Sequence, residues 1–198
     1  MQNREFFLFL LNEVLDRCIS NLTGVNLLCL LIVYDQISID HQRLLIQQNL
    51  DLFFSFLFQV FPLQSRFNKG RLYNTAIQYV RNQTWNITCL ILHDVDLIPE
   101  DDGNFYTCES RYPKHTTSRV RKLDSDRGYT KYYEFLIGGV LILTYDMYRN
   151  LNGFSNLYWG WGGEDDDLAL RLVQKRMCVV RPSFELAVYI GKAGKNPS

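Results

Sequence analysis

The residue pattern predicts an α/β fold, on three observations. Leu72, Ala76, Ile77 and Val80 recur at the spacing of one helical face, and the run TCLILHDVDLIP (88–99) that follows is apolar for the length of a strand before it turns acidic. A second strand-like run, FLIGGVLILT (135–144), precedes LALRLVQKRM (168–177), where Leu168, Leu172 and Val173 again mark a helical face. Helices alternating with buried strands in this order describe a sheet covered by helices.

Taken in order, residues 1–61 are apolar and weakly patterned, with helix-like stretches at 5–16 and 40–50 and strand-like runs between them. The runs FFLFLL (6–11), VNLLCLLIVY (25–34) and LFFSFLFQVF (52–61) are all shorter than the roughly 18–20 residues of a membrane helix. Glu5, Glu13 and Asp16 bracket the first run and no small-residue cleavage site follows it, so a cleavable signal is not expected. The clearer pattern begins near Arg66, with a helix over 70–82 and a strand over 89–92 ending in acids. Residues 99–134, polar and turn-rich with Arg119, Arg121 and Lys122, are expected to form a long loop or lid. A strand over 135–144, interrupted by Gly138-Gly139, a helix starting at Asp165 or Asp166, and a last strand CVVRP (178–182) complete the series.

The 198 residues suffice for one core. With 47% apolar and 14% aromatic residues the chain can bury a core, which argues against disorder, and 21 basic residues against 21 acidic ones leave no basic field for nucleic acid. The five cysteines show no CxxC spacing, so no zinc site is expected, and their odd number leaves at least one thiol free. Three sequons, at Asn21, Asn82 and Asn86, point to a lumenal compartment.

Two clusters can carry chemistry. His93-Asp94-Val95-Asp96 closes a strand, and ligands of open α/β sheets bind beyond strand ends. One acid there can reach a divalent ion and the other a sugar hydroxyl; the plain alternative is a strand cap. In WGWGGEDDD (159–167) the acids at a helix start are favoured by its dipole, by roughly 0.3–1 kcal/mol each. That accounts for one or two acids, not for four behind Trp159, Trp161 and three glycines. Glycines admit a ligand to the backbone and indoles stack on sugar rings, so the combination favours a carbohydrate site with an acid aimed at a hydroxyl. A calcium site is excluded, because four consecutive acids on one helical turn point in different directions.

FNKGRLYN (67–74), HDVDLIPEDD (93–102), IGGVLILT (137–144), NGFSNLYWGWGGEDDDLALR (152–171) and VVRP (179–182) together resemble the animal β-1,4-galactosyltransferase family, glycosyltransferase family 7, over about residues 62–190. The resemblance implies a GT-A, Rossmann-like fold with a mixed central sheet flanked by helices. It also implies a Golgi type II membrane enzyme that moves a hexose from a UDP-sugar such as UDP-galactose, with inversion and Mn²⁺, to the 4-hydroxyl of a terminal acceptor sugar, as on a GlcNAc-terminated acceptor glycan. Residues 62–198 would be the catalytic domain and 1–61 a divergent or incomplete N-terminal part, any membrane tie running through an anchor absent from this chain. Carried over by position, Phe67, Asn68 and Lys69 would hold the uridine end, with Lys69 in place of the usual Arg. Asp94 and Val95 would contact the nucleotide and Asp96 would ligate the metal. Leu136, Gly139, Trp161 and Gly163 would line the sugar site. Glu164, Asp165 and Asp166 would bind the acceptor, with Asp165 as catalytic base. Cys89 and Cys108 would form the family's disulfide, closing a loop worth roughly 3 kcal/mol.

The chain departs from this pattern in three places. The family's further metal ligands, a Met and a His, would fall near Gly191 and Gly194, which leaves Asp96 as sole protein ligand and the diphosphate and water to supply the rest. An upstream uridine-binding strand is missing and the segment from about Arg17 to Ser38 looks inserted, as in a truncated or mis-spliced product. Leu136 stands where galactose-specific members carry Tyr, which makes room for an N-acetyl group and so for UDP-N-acetylgalactosamine. The missing ligands also support a second reading, a non-catalytic protein that binds glycans or partners on the same surface. His93 and His115 are expected to be structural.

Overall fold

The structure, a computed structural model, describes residues 29–34, 67–82, 88–94, 97–101, 103–108, 111–122, 129–131 and 135–191. In chain order these form β1 (Cys29–Tyr34), α1 (Lys69–Arg81), β2 (Cys89–Asp94), β3 (Leu97–Pro99), β4 (Lys114–His115), β5 (Arg119–Lys122), β6 (Tyr129–Lys131), β7 (Val140–Thr144), α2 (Tyr145–Asn150), α3 (Glu164–Gln174) and β8 (Val188–Gly191). No described helix is long and apolar enough to cross a membrane.

The strands make two four-stranded sheets. The first has the order β1-β2-β7-β4 with antiparallel neighbours throughout. The second, β3-β8-β5-β6, is mixed, because β5 runs parallel to β8 while the other pairs are antiparallel. Side chains alternate across a strand, so Leu90, Leu92, Leu141 and Leu143 face the same way. On that face they join Leu72, Tyr73 and Ile77 of α1, Met147 and Tyr148 of α2, and Leu168, Ala169 and Leu172 of α3 in one buried cluster. Ile91, Val140 and Ile142 are buried as well, which is why β2 and β7 read as continuous apolar runs.

The predicted helix near 70–82 and the strand from Cys89 are both found. α3 starts one residue earlier than expected, at Glu164, with Gly163 as its N-cap. Three other readings need correction. The 99–134 loop contains β4, β5 and β6, and β5 is held by β8. That strand, VYIG, has no alternation to betray it and is stabilised by partners distant in sequence. The predicted strand 178–182 supplies only one parallel bridge, Val180 to Lys114; Cys178, Val180 and Arg181 are exposed. The predicted 135–144 strand starts at Val140, because Gly139 has a φ of +89° that breaks extended backbone. β1 lies inside the segment that looked inserted and supplies the edge strand beside β2. The predicted helices at 5–16 and 40–50 lie outside the described residues.

Cys89 and Cys108 are disulfide-bonded, and Cys178 is a free, exposed thiol. The bond ties the start of β2 to the segment that follows β3.

Candidate active site

Residues 67–69 are set by the start of α1. Asn68 is fully buried; its Oδ1 accepts from the Arg71 backbone N–H at 2.8 Å, and its Nδ2 donates to the Asn156 carbonyl at 2.9 Å. The first contact caps α1 and the second draws the loop before α3 against it. Asn74 adds to the tie, donating to the Phe154 carbonyl and accepting from the Phe154 N–H, and the Gly160 N–H donates to the Phe67 carbonyl at 2.7 Å. Gly160, Gly162 and Gly163 all have φ between +93° and +95°, and a Cβ at Gly160 or Gly162 would meet nothing. At Gly160 and Gly162 glycine is required by the left-handed backbone rather than by crowding, and at Gly163 a Cβ would also press on the Tyr158 ring.

This loop delivers four carboxylates to the first turn of α3, and a helix spreads them by about 100° per residue. Glu164 turns inward and is 7% exposed. Asp165 lies over Gly138, where a Cβ would overlap Asp165 Oδ2. Asp166 points to solvent. Asp167 accepts from Arg171 Nε at 2.9 Å and Nη2 at 2.6 Å, and Arg171 Nη1 also donates to the Leu151 and Gly153 carbonyls. Asp167 is therefore taken up in anchoring α3 to the preceding turn. Mutual repulsion is divided among four environments.

The strand-end acid meets this helix start across one lysine. Lys69 Nζ is 2.7 Å from Asp94 Oδ1 and 3.6 Å from Glu164 Oε1. Burial pushes the Asp94 and Glu164 carboxyls above their usual range, Lys69 pulls both back, and nearby Asp165 pushes both up again. Phe67, Lys69, Asp94, Gly160, Trp161, Gly162 and Glu164 line a pocket of about 80 Å³. Trp161 is 85% exposed beside it, free to cover a ligand. Trp159 is exposed as well, with the Arg71 guanidinium 5.9 Å from its ring centre.

Of the expected site residues, Phe67, Lys69, Asp94, Trp161 and Glu164 line this pocket. Gly163 is the cap of α3. Leu136 approaches the Cβ position of Gly138 to 3.4 Å, and the Gly139 carbonyl accepts from the Asp94 N–H at 2.8 Å. Asn68 does not line the pocket; its amide is engaged in capping and loop tethering. Val95 and Asp96 lie outside the described residues. Sequence reasoning missed Gly138 as the floor beneath Asp165, and Arg171 as the residue that claims Asp167. The i, i+4 spacing of Asp167 and Arg171 was the available signal for the second.

Among the described residues no group of His, Cys, Asp or Glu could hold a metal ion, and Gly191, at one expected ligand position, ends β8. The described residues alone thus form no such cluster, and Asp96, the expected protein ligand, lies outside them. Both described histidines are structural, as expected. His93 sits among Tyr106 and Tyr189, and His115 Nε2 donates to the Gly138 carbonyl at 2.8 Å. Burial lowers their pKa values to about 3 and about 4. The unfolded chain binds their protons near pH 6.5, so the folded state loses stability as pH falls below that value. The loss is about 1.4 kcal/mol per pH unit for each ring, partly offset by Asp94 and Glu164, which titrate with opposite sign. Urea unfolding at about pH 7 and about pH 5, on either side of the ordinary histidine range, should show a lower midpoint at the acidic value, and a smaller difference in His115→Gln. Equal differences in the two proteins would contradict this account.

Comparison with known proteins follows the same lines. A family model described as the N-terminal region of glycosyl transferase group 7 matches residues 36–109, and one described as the N-terminal domain of galactosyltransferase matches 115–191. Human β-1,4-galactosyltransferase 3 is 44% identical over 124 residues, 62% of this chain and 30% of that protein. Human β-1,4-galactosyltransferase 4 is 43% identical over 125 residues, 63% of this chain and 34% of that protein. The chain thus spans about a third of the length of these relatives. A mutant of Drosophila β-1,4-galactosyltransferase 7 in complex with manganese, UDP-Gal and xylobiose is 29% identical, with a TM-score of 0.52 over 61% of this chain and 48% of that one. The catalytic domain of the same enzyme with xylobiose aligns equally well, at 30% identity. The fold is the GT-A type expected from the resemblance.

Proposed function

Because the chain belongs to the group 7 glycosyltransferases, the β-1,4-galactosyltransferase family, we propose that it is an inverting transferase that moves galactose or N-acetylgalactosamine from a UDP-sugar to the 4-hydroxyl of a terminal GlcNAc-like sugar. The observation that carries this is the shared cleft: Asp94 at the end of β2 and Glu164 at the start of α3 both reach Lys69, with Asp165 beside them. Donor and acceptor bound there would meet.

In this reading Asp165 takes the proton of the acceptor hydroxyl as that oxygen attacks the anomeric carbon, on the face opposite the departing diphosphate. An ordinary carboxylate suffices, since the alcohol acidifies as the bond forms. Glu164 and Asp166 orient the acceptor, Trp161 covers the sugar, and Phe67, Lys69 and Asp94 hold the nucleotide. Lys69 is the cation of the described pocket, so it is the described group placed to meet phosphate charge. Likeness to the Drosophila enzyme brings Mn²⁺ into the reading, with Asp96 as its protein ligand. The protein would work in the Golgi lumen, as a type II membrane protein at full length; the sequons at Asn21, Asn82 and Asn86 support a lumenal site.

The test is UDP release by purified protein with Mn²⁺, a GlcNAc acceptor, and UDP-Gal or UDP-GalNAc. Release that requires both donor and acceptor is expected. Glycan binding without release would instead make the protein a lectin-like relative. Leu136 sets a second expectation, because its side chain borders the Gly138 strip where a sugar C2 substituent would rest. Leu136→Tyr should lower the ratio of GalNAc to Gal transfer about tenfold, in line with roughly 1–3 kcal/mol for steric discrimination in a pocket. An unchanged ratio would remove Leu136 from donor selection.

A further inference from the structure

Behind the pocket a buried chain of polar groups runs in one direction. The Asp94 carbonyl can only accept, so His93 Nδ1–H donates to it at 2.7 Å, and His93 Nε2 therefore accepts from the Tyr106 hydroxyl at 2.9 Å. Tyr106 in turn accepts from the Tyr189 hydroxyl at 3.3 Å. Asn104 Nδ2 donates to Tyr189 at 3.1 Å, and Thr116 Oγ1 lies 2.7 Å from the same hydroxyl. Side chains from β2, the segment after β3, the segment after β4, and β8 thus converge on one backbone oxygen at the end of β2.

Such a chain is an expensive way to fill a core. Apolar side chains of similar shape would pack there without buried polar atoms to satisfy. What the polar chain supplies is direction. It fixes the peptide plane of Asp94, whose carboxylate faces Lys69 on the other side. The segment bearing Tyr106 is already bound to β2 by the Cys89–Cys108 disulfide, so β2 is gripped twice by the same segment, covalently at its start and through His93 at its end.

We infer that His93 and Tyr106 are positioning residues for the donor nucleotide, holding the Asp94 end of β2 in register with Lys69. The inference rests on the transferase reading, in which Asp94 contacts the nucleotide. A structural role alone would rank variants at position 93 by how well they fill the core. A positioning role ranks them by whether the donor to the Asp94 carbonyl survives. His93→Leu keeps an apolar filler and loses that donor, whereas in His93→Asn the amide nitrogen of the new side chain can stand in for Nδ1.

The experiment measures UDP binding by calorimetry with Mn²⁺ present, alongside thermal unfolding, in the wild type, His93→Leu, His93→Asn and Tyr106→Phe. Two opposite orders are expected. His93→Leu should be at least as thermostable as His93→Asn yet bind UDP about tenfold more weakly than the wild type, the scale of effect seen when partners that orient a ligating group are lost. His93→Asn should recover most of that affinity, and Tyr106→Phe, which keeps the ring, should weaken binding severalfold. If the wild type binds UDP and affinity merely follows stability across the variants, the positioning role is overturned while the nucleotide-sugar reading stands. If the wild type does not bind UDP at all, the reading itself fails, and the inference with it.

Discussion

Asp165→Asn is expected to reduce sugar transfer by about 10²–10⁴-fold, the range for loss of a general base, while leaving UDP binding and folding near those of the wild type. The amide is nearly isosteric with the carboxylate, so the contact with Gly138 is retained and only the proton acceptor is removed. Asp165 is partly exposed at the first turn of α3, where a neutral side chain loses a few tenths of a kcal/mol of helix-dipole interaction. Turnover with saturating donor and acceptor decides the matter. Activity within about threefold of the wild type, far short of the loss expected for a general base, would show that another group, with Glu164 the nearest candidate, takes the proton.

Gly138→Ala should be almost as damaging to transfer, for a geometric reason. A Cβ at Gly138 would lie under 3.0 Å from Asp165 Oδ2, closer than real Cβ atoms approach, and 3.3 Å from its Cγ. The carboxylate must move, and displacement of a reacting group by about 1 Å costs on the order of 10²-fold in rate. Gly138 does not have a positive φ, so alanine fits its backbone and should trim the entropy of the unfolded chain, a gain of about 0.4–1 kcal/mol. Rate and melting temperature should therefore part company. Retention of full activity would mean that Asp165 does not act from its place over Gly138. Gly139 makes the contrast, because its positive φ and the Thr117 side chain at its Cβ position would make Gly139→Ala unstable as well.

Local periodicity made the main elements legible. Leu72, Ala76 and Ile77 announce α1, the apolar run from Cys89 announces β2, and both are buried as that pattern requires. The meeting of the two acid clusters was implied by the resemblance to the β-1,4-galactosyltransferases, and Lys69 is where it occurs. The second sheet was not legible. β8 is four residues long, and its pairing with β5 is a property of two segments far apart in the chain. Nor did composition reveal how the four acids divide their tasks, because that depends on helix rotation and on what waits at each angle: Lys69, Gly138, solvent and Arg171.

That angular division gives the loop before α3 a significance beyond its glycines. Lengthening or shortening it by one residue would turn the helix by about 100°, handing Lys69 the wrong acid and leaving Arg171 opposite another. The tethers from Asn68, Asn74 and Arg171 to residues 151–160 therefore act as a dial stop. They index the helix to a single setting, so the chemistry depends on loop length as strictly as on the identity of the acids it delivers.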